Sequence, residues 1–101
     1  MKLIELNISR IIELCKQYRV RSLAVFGSIL TERFNDESDV DLLVDFDTTD
    51  HEKWDYVGNY FRFRDALENL FNRKVDLIED KGIRNPLFRE AVESSKLLIY
   101  G

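Results

Sequence analysis

The feature that most limits the fold of this sequence is an alternation of apolar and acidic residues, with a period of two, between positions 39 and 47. One phase of the alternation is apolar, and it comprises Val40, Leu42, Val44 and Phe46. The other phase is mostly acidic, and it comprises Asp39, Asp41, Leu43, Asp45 and Asp47. Because successive side chains of a strand point to opposite faces, this pattern predicts a strand with one buried face and one acidic face.

The rest of the chain divides into helices and strands by the same reasoning. Apolar residues three and four apart predict an amphipathic helix over residues 3–18, with Cys15 in the core. Short apolar runs bounded by turn residues predict further strands, at residues 22–26, 74–79 and 97–100. Helical segments are expected at residues 29–34, 52–71 and 86–94. The predicted fold is therefore α/β (α+β), a small mixed sheet flanked by helices.

Two helices carry recognisable start signals. Asn85-Pro86 suits a helix start, because Asn accepts from free backbone N–H groups and Pro has none to lose. Asp50 is the predicted cap of the helix over residues 52–71. The core-facing stripe predicted for that helix comprises Trp54, Val57, Phe61, Ala66, Leu67 and Leu70.

Length and composition limit the size and the class of the protein. With 101 residues, of which 45% are hydrophobic and 34% charged, the chain has room for one core, so residues 1–101 are predicted to form a single domain. No membrane-spanning run or export signal is visible. Cys15 is the only cysteine, which excludes an internal disulfide and fits a reducing compartment, so a cytoplasmic location is expected.

The charges are distributed unevenly along the chain. Residues 36–55 contain nine acidic side chains against one Lys, whereas residues 1–35 carry six basic and three acidic ones. A protein that binds nucleic acid directly would spread Lys and Arg over a face, so this class is disfavoured. The acidic segment instead favours cation binding.

Three features of the sequence point to one kind of chemistry. They are Gly27-Ser28 at a predicted strand end, the pair Asp39 and Asp41, and Asp76 in a later strand. Carboxylates that converge repel each other unless a cation lies between them, and hard oxygen ligands favour Mg²⁺ or Mn²⁺. Backbone N–H groups around Ser28 can receive phosphate oxygens, and Gly27 allows a close backbone approach. A phosphate site beside metal-binding carboxylates predicts in-line nucleotidyl transfer.

The same residues resemble the signature of the DNA polymerase β-like nucleotidyltransferases, and the short chain narrows the resemblance to the minimal group. It extends through AVFGSILTERFNDESDVDLLVDFD, KVDLIED and NPLFREAVESSKLLIYG. The resemblance implies that Asp39 and Asp41 bind two Mg²⁺ ions with Asp76 as third carboxylate and catalytic base, and that Gly27 and Ser28 hold the triphosphate. It also implies an antitoxin that transfers AMP from ATP to a Tyr of a partner HEPN-domain ribonuclease toxin.

Some features depart from this reading or leave alternatives open. Many relatives carry Arg-Gly soon after Gly-Ser, whereas this chain has Arg33-Phe34, so no catalytic role is assigned to Arg33. Asp45 and Asp47 are expected to face solvent. The alternatives are an antitoxin that blocks its toxin by binding alone, and a nucleotidyltransferase that acts on a small hydroxylated molecule.

Overall fold

The computed structural model describes residues 2–101, apart from the side chain of His51. The regular elements in chain order are α1 (Lys2–Gln17), β1 (Val20–Phe26), β2 (Val40–Phe46), α2 (Tyr56–Phe71), β3 (Val75–Glu79), α3 (Pro86–Ser95) and β4 (Leu97–Tyr100). Short 3₁₀ turns occur at Gly27–Leu30, His51–Lys53 and Asp80–Gly82. Within the described residues each helix is too short or too polar to span a lipid bilayer.

The strands form one sheet in the order β3-β2-β1-β4. Strand β1 runs antiparallel to both β2 and β4, whereas β2 and β3 are parallel. The parallel pair is possible because α2 connects the two strands and returns the chain to the same end of the sheet. The prediction of a small mixed sheet flanked by helices is confirmed.

The face of the sheet that packs against α1 and α2 holds the larger core. The apolar phase of β2 lies there, and Val40, Leu42, Val44 and Phe46 are each at most 2% exposed. The alternation in the sequence therefore assigned this face correctly. Cys15 lies in the same core, as predicted, and burial raises the pKa of its thiol to about 12. This thiol is held in its neutral form and packs as a small apolar group.

The opposite face of the sheet is only partly covered. Helix α3 contributes Val92, which packs with Ala24, Phe26 and Leu43 of the central strands. Asn85 caps α3 by accepting hydrogen bonds from the N–H groups of Leu87 (2.9 Å) and Phe88 (3.2 Å), as predicted. This face is also the acidic face of β2.

The start of α2 differs from the prediction. Asp55, not Asp50, is the cap, and its carboxylate accepts from the N–H of Gly58 at 2.9 Å. Asp50 has a φ of 57°, a left-handed conformation that a short turn requires and that Asp tolerates. Trp54 precedes the helix, and its indole N–H donates to the carbonyl of Thr49 at 3.3 Å. The separate turn over His51–Lys53 therefore uses the residues that were expected to begin the helix.

The buried stripe of α2 agrees with the prediction only in part. Val57 and Phe61 are 64% and 44% exposed, whereas Phe63 and Leu67 are fully buried. The amide of Asn59 donates to the carbonyl of Tyr18 at 2.7 Å, which fixes one face of the helix against the end of α1. The residues that share this face at a spacing of four are Asn59, Phe63, Leu67 and Phe71. The prediction is correct for Leu67, and Ala66 and Leu70 also pack against this core. It is wrong for Val57 and Phe61, because apolar residues occur on most sides of this helix and periodicity alone does not choose between them.

A matched pair of substitutions tests this orientation of α2. Phe63→Leu is expected to lower the free energy of unfolding by about 1–2 kcal/mol, because it removes ring contacts to Phe46 and Tyr18 from a filled core. Phe61→Leu is expected to change it by about 0.5 kcal/mol or less, because Phe61 is largely exposed. Urea denaturation of both variants measures the difference. Equal losses would contradict this packing.

The turn after β1 is shorter than expected. It covers Gly27–Leu30, whereas the sequence predicted a helical turn over residues 29–34. It ends at Thr31, whose backbone is extended and whose N–H (3.0 Å) and hydroxyl (2.8 Å) both donate to the carbonyl of Ser28. The helical turn therefore begins at Gly27 itself, directly against β2.

Candidate active site

Asp41 and Asp76 are neighbours across the parallel pair of strands. The register of β2 and β3 places Asp41 opposite Asp76, and both residues lie on the face that α3 only partly covers. Asp41 is half-buried and Asp76 is exposed. Two predicted site residues from distant parts of the chain are therefore brought together by strand pairing.

Gly27 and Ser28 adjoin the same carboxylate. Phe26 pairs with Asp41 across β1 and β2, so the turn that begins at Gly27 passes beside the carboxylate of Asp41. Gly27 has a φ of 75°, and a methyl group added to it would collide with Oδ2 of Asp41. The backbone of Ser28 forms a hydrogen bond with Asp41, which favours the ionised carboxylate. Gly27 is thus required both by its conformation and by the space that Asp41 occupies.

Asp39 lies immediately before β2 and is exposed. The loop that precedes it is held by Arg73, whose guanidinium donates to the carbonyls of Asn35 (2.8 Å) and Ser38 (3.0 Å). The same guanidinium lies over the ring of Phe34, 4.6 Å from its centroid. No local pattern in the sequence indicates this contact, which joins residues 38 positions apart. Arg73 therefore positions the segment that carries Asp39.

Glu68 has a similar supporting role beside Asp76. Its carboxylate accepts from the backbone N–H of Val75 at 2.9 Å, one residue before Asp76. Val75 lies on the edge strand of the sheet, where an outward N–H lacks a strand partner. Glu68 is half-buried, and its carboxylate supplies the hydrogen-bond acceptor that this N–H at the sheet edge would otherwise lack.

The electrostatics of the site are dominated by like charges. Burial raises the pKa of Asp41, the neighbouring Asp76 raises it further, and Asp39 adds a smaller effect, while the hydrogen bond with Ser28 opposes these shifts. Among the described residues, no Lys or Arg forms an ion pair with Asp39, Asp41 or Asp76. The negative charge of this group is therefore uncompensated by the residues that the structure describes.

Asp45 and Asp47 differ from this group because each has a cationic partner. Arg21 contacts Asp47 at 3.5 Å and Asp45 at 4.0 Å. Lys81 Nζ lies 3.4 Å from Oδ1 of Asp45, an ion pair without the geometry of a hydrogen bond. The side chain of Asp47 is 52% exposed, as predicted, but that of Asp45 is only 16% exposed, so the prediction for Asp45 was wrong. The Lys81 and Arg21 side chains cover it.

The donor set suits a hard cation that is shared with a phosphate ligand. Within residues 2–101, apart from the side chain of His51, no group of three His, Cys, Asp or Glu side chains has a geometry that could hold a metal ion by itself. Mg²⁺ is usually held by one or two carboxylates and completes its shell with water and substrate phosphates. The paired carboxylates of Asp41 and Asp76, beside the N–H groups of the Gly27–Leu30 turn, fit that mode of binding.

The amino-acid sequence of the chain is similar to those of a known protein family. The polymerase β nucleotidyltransferase family matches residues 9–101. A candidate protein adenylyltransferase of Methanocaldococcus jannaschii is 36% identical over 84 residues, which cover 83% of this chain and 79% of the relative. The protein adenylyltransferase MntA of Thermococcus cleftensis is 33% identical over 84 residues, which cover 79% of this chain and 80% of that protein.

Solved structures agree with the sequence comparisons. A candidate minimal nucleotidyltransferase superposes with a TM-score of 0.75 and 26% identity, covering 95% of this chain and 92% of the other. Two further structures share the fold at 20% identity. A toxin–antitoxin with AMP-PNP superposes with a TM-score of 0.71, covering 94% of this chain and 73% of the other. A tri-AMPylated Shewanella oneidensis HEPN toxin in complex with MNT antitoxin gives a TM-score of 0.65, covering 96% of this chain and 71% of the other. The chain therefore belongs to the polymerase β-like nucleotidyltransferases, in their minimal group, and is a nucleotidyltransferase.

Proposed function

We propose that the chain is an antitoxin-type protein adenylyltransferase, which transfers AMP from Mg-ATP to a Tyr hydroxyl of an HEPN-domain toxin and thereby neutralises the toxin. The observation that carries the proposal is the register of β2 and β3, which places Asp41 beside Asp76 next to the turn at Gly27. The similarity to a candidate protein adenylyltransferase of Methanocaldococcus jannaschii and to the protein adenylyltransferase MntA of Thermococcus cleftensis supports the same reaction.

Asp39, Asp41 and Asp76 would hold up to two Mg²⁺ ions together with the phosphates of ATP. When bound, Mg²⁺ neutralises charge on the reacting phosphate groups. The chain itself offers three acidic side chains that have no cationic partner among the described residues, whereas Asp45 and Asp47 on the same face have one.

The residues around this group have distinct roles in the transfer step. N–H groups of the Gly27–Leu30 turn, together with the Ser28 hydroxyl, bind oxygens of the β- and γ-phosphates. Asp76, exposed on the edge strand, accepts the proton of the attacking hydroxyl. A bond forms between that hydroxyl oxygen and the α-phosphorus, and the bond from the α-phosphorus to the bridging oxygen of pyrophosphate breaks. The products are the AMP ester of the acceptor and pyrophosphate.

The partner is inferred from structures that share the fold. One of them contains an HEPN toxin that carries three AMP groups, bound to its MNT antitoxin. The candidate site of this chain lies on an open face of the sheet, and Asp39 and Asp76 are both exposed. A macromolecular hydroxyl can approach such a site directly, and the partner would complete the walls of the site.

The experiment that tests the proposal is intact-mass analysis of an HEPN-domain protein encoded beside this chain, after incubation with the chain, Mg²⁺ and ATP. The expected result is a mass gain in whole AMP units. The gain should be absent with an Asp39→Ala/Asp41→Ala variant and should disappear when EDTA is added. An Asp47→Asn variant is the matched control, since Asp47 belongs to the same acidic phase but is paired with Arg21, and it should still transfer AMP.

Two other outcomes would assign a different function. If the toxin gains no mass but is silenced equally by the wild type and by the double variant, the chain acts by binding alone. If AMP is transferred to small hydroxylated compounds and not to the protein, the acceptor class is wrong.

A further inference from the structure

A groove begins one residue after Asp76, on the outer side of β3. Its volume is about 580 Å³, within the range of roughly 300–1,000 Å³ that is usual for binding sites. Ile78 shares a sheet face with Asp76 and lies in the floor of this groove. The remaining walls come from both sides of the sheet edge and include Tyr60, Glu79, Ile83, Arg84 and Phe88.

The wall formed by α3 connects the groove to the carboxylates. Phe88 is 41% exposed, and its ring meets that of Phe26 edge-on at 6.1 Å. Phe26 is the residue that pairs with Asp41 across β1 and β2. The exposed ring of Phe88 therefore joins the wall of the groove to the strand pair that carries Asp41.

The groove is held open by contacts within the chain. Arg89 of α3 donates to a carboxylate oxygen and to the carbonyl of Asp80, both at 2.6 Å, which ties the turn after β3 to the helix. The hydroxyl of Tyr60 donates to the carbonyl of Leu77 at 2.5 Å and fixes the opposite wall. Little ordering is then required when a ligand binds, which lowers the entropic cost of binding.

The geometry of in-line transfer decides which substrate this groove faces. The attacking and leaving oxygens must lie on opposite sides of the phosphorus. Across the sheet the order is the Ser28 turn, then Asp41, then Asp76. If the leaving pyrophosphate lies at the Ser28 turn, the attacking hydroxyl must come from the side of Asp76. That is the side on which the groove opens.

We infer that this groove is the acceptor site, and that it binds a protein segment that presents an aromatic hydroxyl, a tyrosyl side chain, to Asp76. This inference rests on the proposed function. Tyr60, Ile83 and Phe88 supply ring and aliphatic surface for the tyrosyl ring, and aromatic pairs of this kind are favourable at close range. Arg84 is exposed at the rim, where one nitrogen of its guanidinium donates to the carbonyl of Lys81 at 2.9 Å. Its other N–H groups can bind carbonyl or carboxylate groups of the segment.

Steady-state kinetics of the Phe88→Ala variant, with the HEPN-domain acceptor and ATP varied separately, tests this assignment. The KM for the acceptor is expected to rise about 10-fold, because one aromatic contact of about 1.4 kcal/mol is lost. The KM for ATP should stay within about twofold of the wild type. Arg84→Glu, which reverses the charge at an exposed position and should retain the folded state in thermal unfolding, should raise the acceptor KM in the same way. Leu87→Ala, 77% exposed on the same helix and outside the groove, is the control and should change neither constant.

Other outcomes overturn the assignment. A rise in the KM for ATP would make the groove a nucleoside site, and unchanged constants in both Phe88→Ala and Arg84→Glu would remove its role in binding. In both cases the wild type still transfers AMP. A wild type that transfers nothing would instead contradict the proposed function, and the acceptor site with it.

Discussion

Replacing Asp76 by asparagine is expected to lower kcat for AMP transfer by about 10²–10⁴-fold, the usual contribution of a general base. Asparagine keeps the size of the side chain and its oxygen, but it cannot accept the proton of the attacking hydroxyl. Because Asp76 is exposed near the start of a short edge strand, the change should leave the fold intact. Single-turnover transfer followed by intact mass, with thermal unfolding as the check on folding, measures both effects.

Binding of Mg-ATP separates the role of Asp76 from that of Asp41. Asp76→Asn should retain Mg-ATP binding within about tenfold in calorimetry, an affinity change of about 1.4 kcal/mol or less. Asp41→Asn should lose this binding, because the half-buried carboxylate between Ser28 and Asp76 is the central ligand of the group. If Asp76→Asn transferred AMP at the rate of the wild type, Asp76 could not be the proton acceptor. Asp45→Asn, which alters the same sheet face near Lys81, should keep kcat within about twofold.

The sequence predicts the fold well where the spacing of apolar residues matches the face that is buried. Strand β2 was predicted from its alternation, and Val40 and Leu42 are fully buried on the expected face. The cap of α3 was predicted because Asn85-Pro86 acts through its own neighbours, with no need of tertiary contacts. Local rules were sufficient wherever the deciding interaction was itself local.

The orientation of α2 was not predictable from the sequence in the same way. Phe61 and Phe63 are equally apolar, and the choice between them depends on Asn59, which bonds the carbonyl of Tyr18 across 41 residues of chain. Asp50 and Asp55 are equally good cap residues, and the left-handed turn at Asp50 decides between them. Long-range packing overrode local preference at both places.

In the candidate site, too, the features set by local sequence could be predicted and those set by long-range contacts could not. Strand alternation placed Asp39 and Asp41 on one face, but the register that puts Asp76 opposite Asp41 is a property of strand pairing. The support that Arg73 gives to the loop before Asp39 spans 38 residues and has no sequence signal. Asp45 belongs to the same acidic phase as Asp41, and only the positions of Lys81 and Arg21 distinguish a paired carboxylate from the uncompensated group.

Replacing Gly27 by alanine is expected to lower the rate of AMP transfer by about 10²-fold, the effect typical of a displacement of roughly 1 Å in reacting groups. The added methyl group would collide with Oδ2 of Asp41 and lie 3.2 Å from its Cγ, so the carboxylate has to move. The backbone at Gly27, with a φ of 75°, adds about 1–2 kcal/mol of conformational strain for any residue that has a Cβ atom. The variant should therefore unfold at a lower temperature as well as react more slowly.

The effect on the carboxylate can be separated from the effect on the backbone. Gly82→Ala is the control for stability, because a methyl group there would lie 3.9 Å from Cβ of Glu79, an ordinary contact, and its unfolding temperature should match the wild type. If strain alone were responsible, Gly27→Ala would lose stability but regain its full rate at low temperature, where the folded state dominates. A rate that stays low in the fully folded variant, together with weaker Mg-ATP binding, would locate the defect at Asp41. The glycine would then be required chiefly because the carboxylate occupies the space that a side chain would fill.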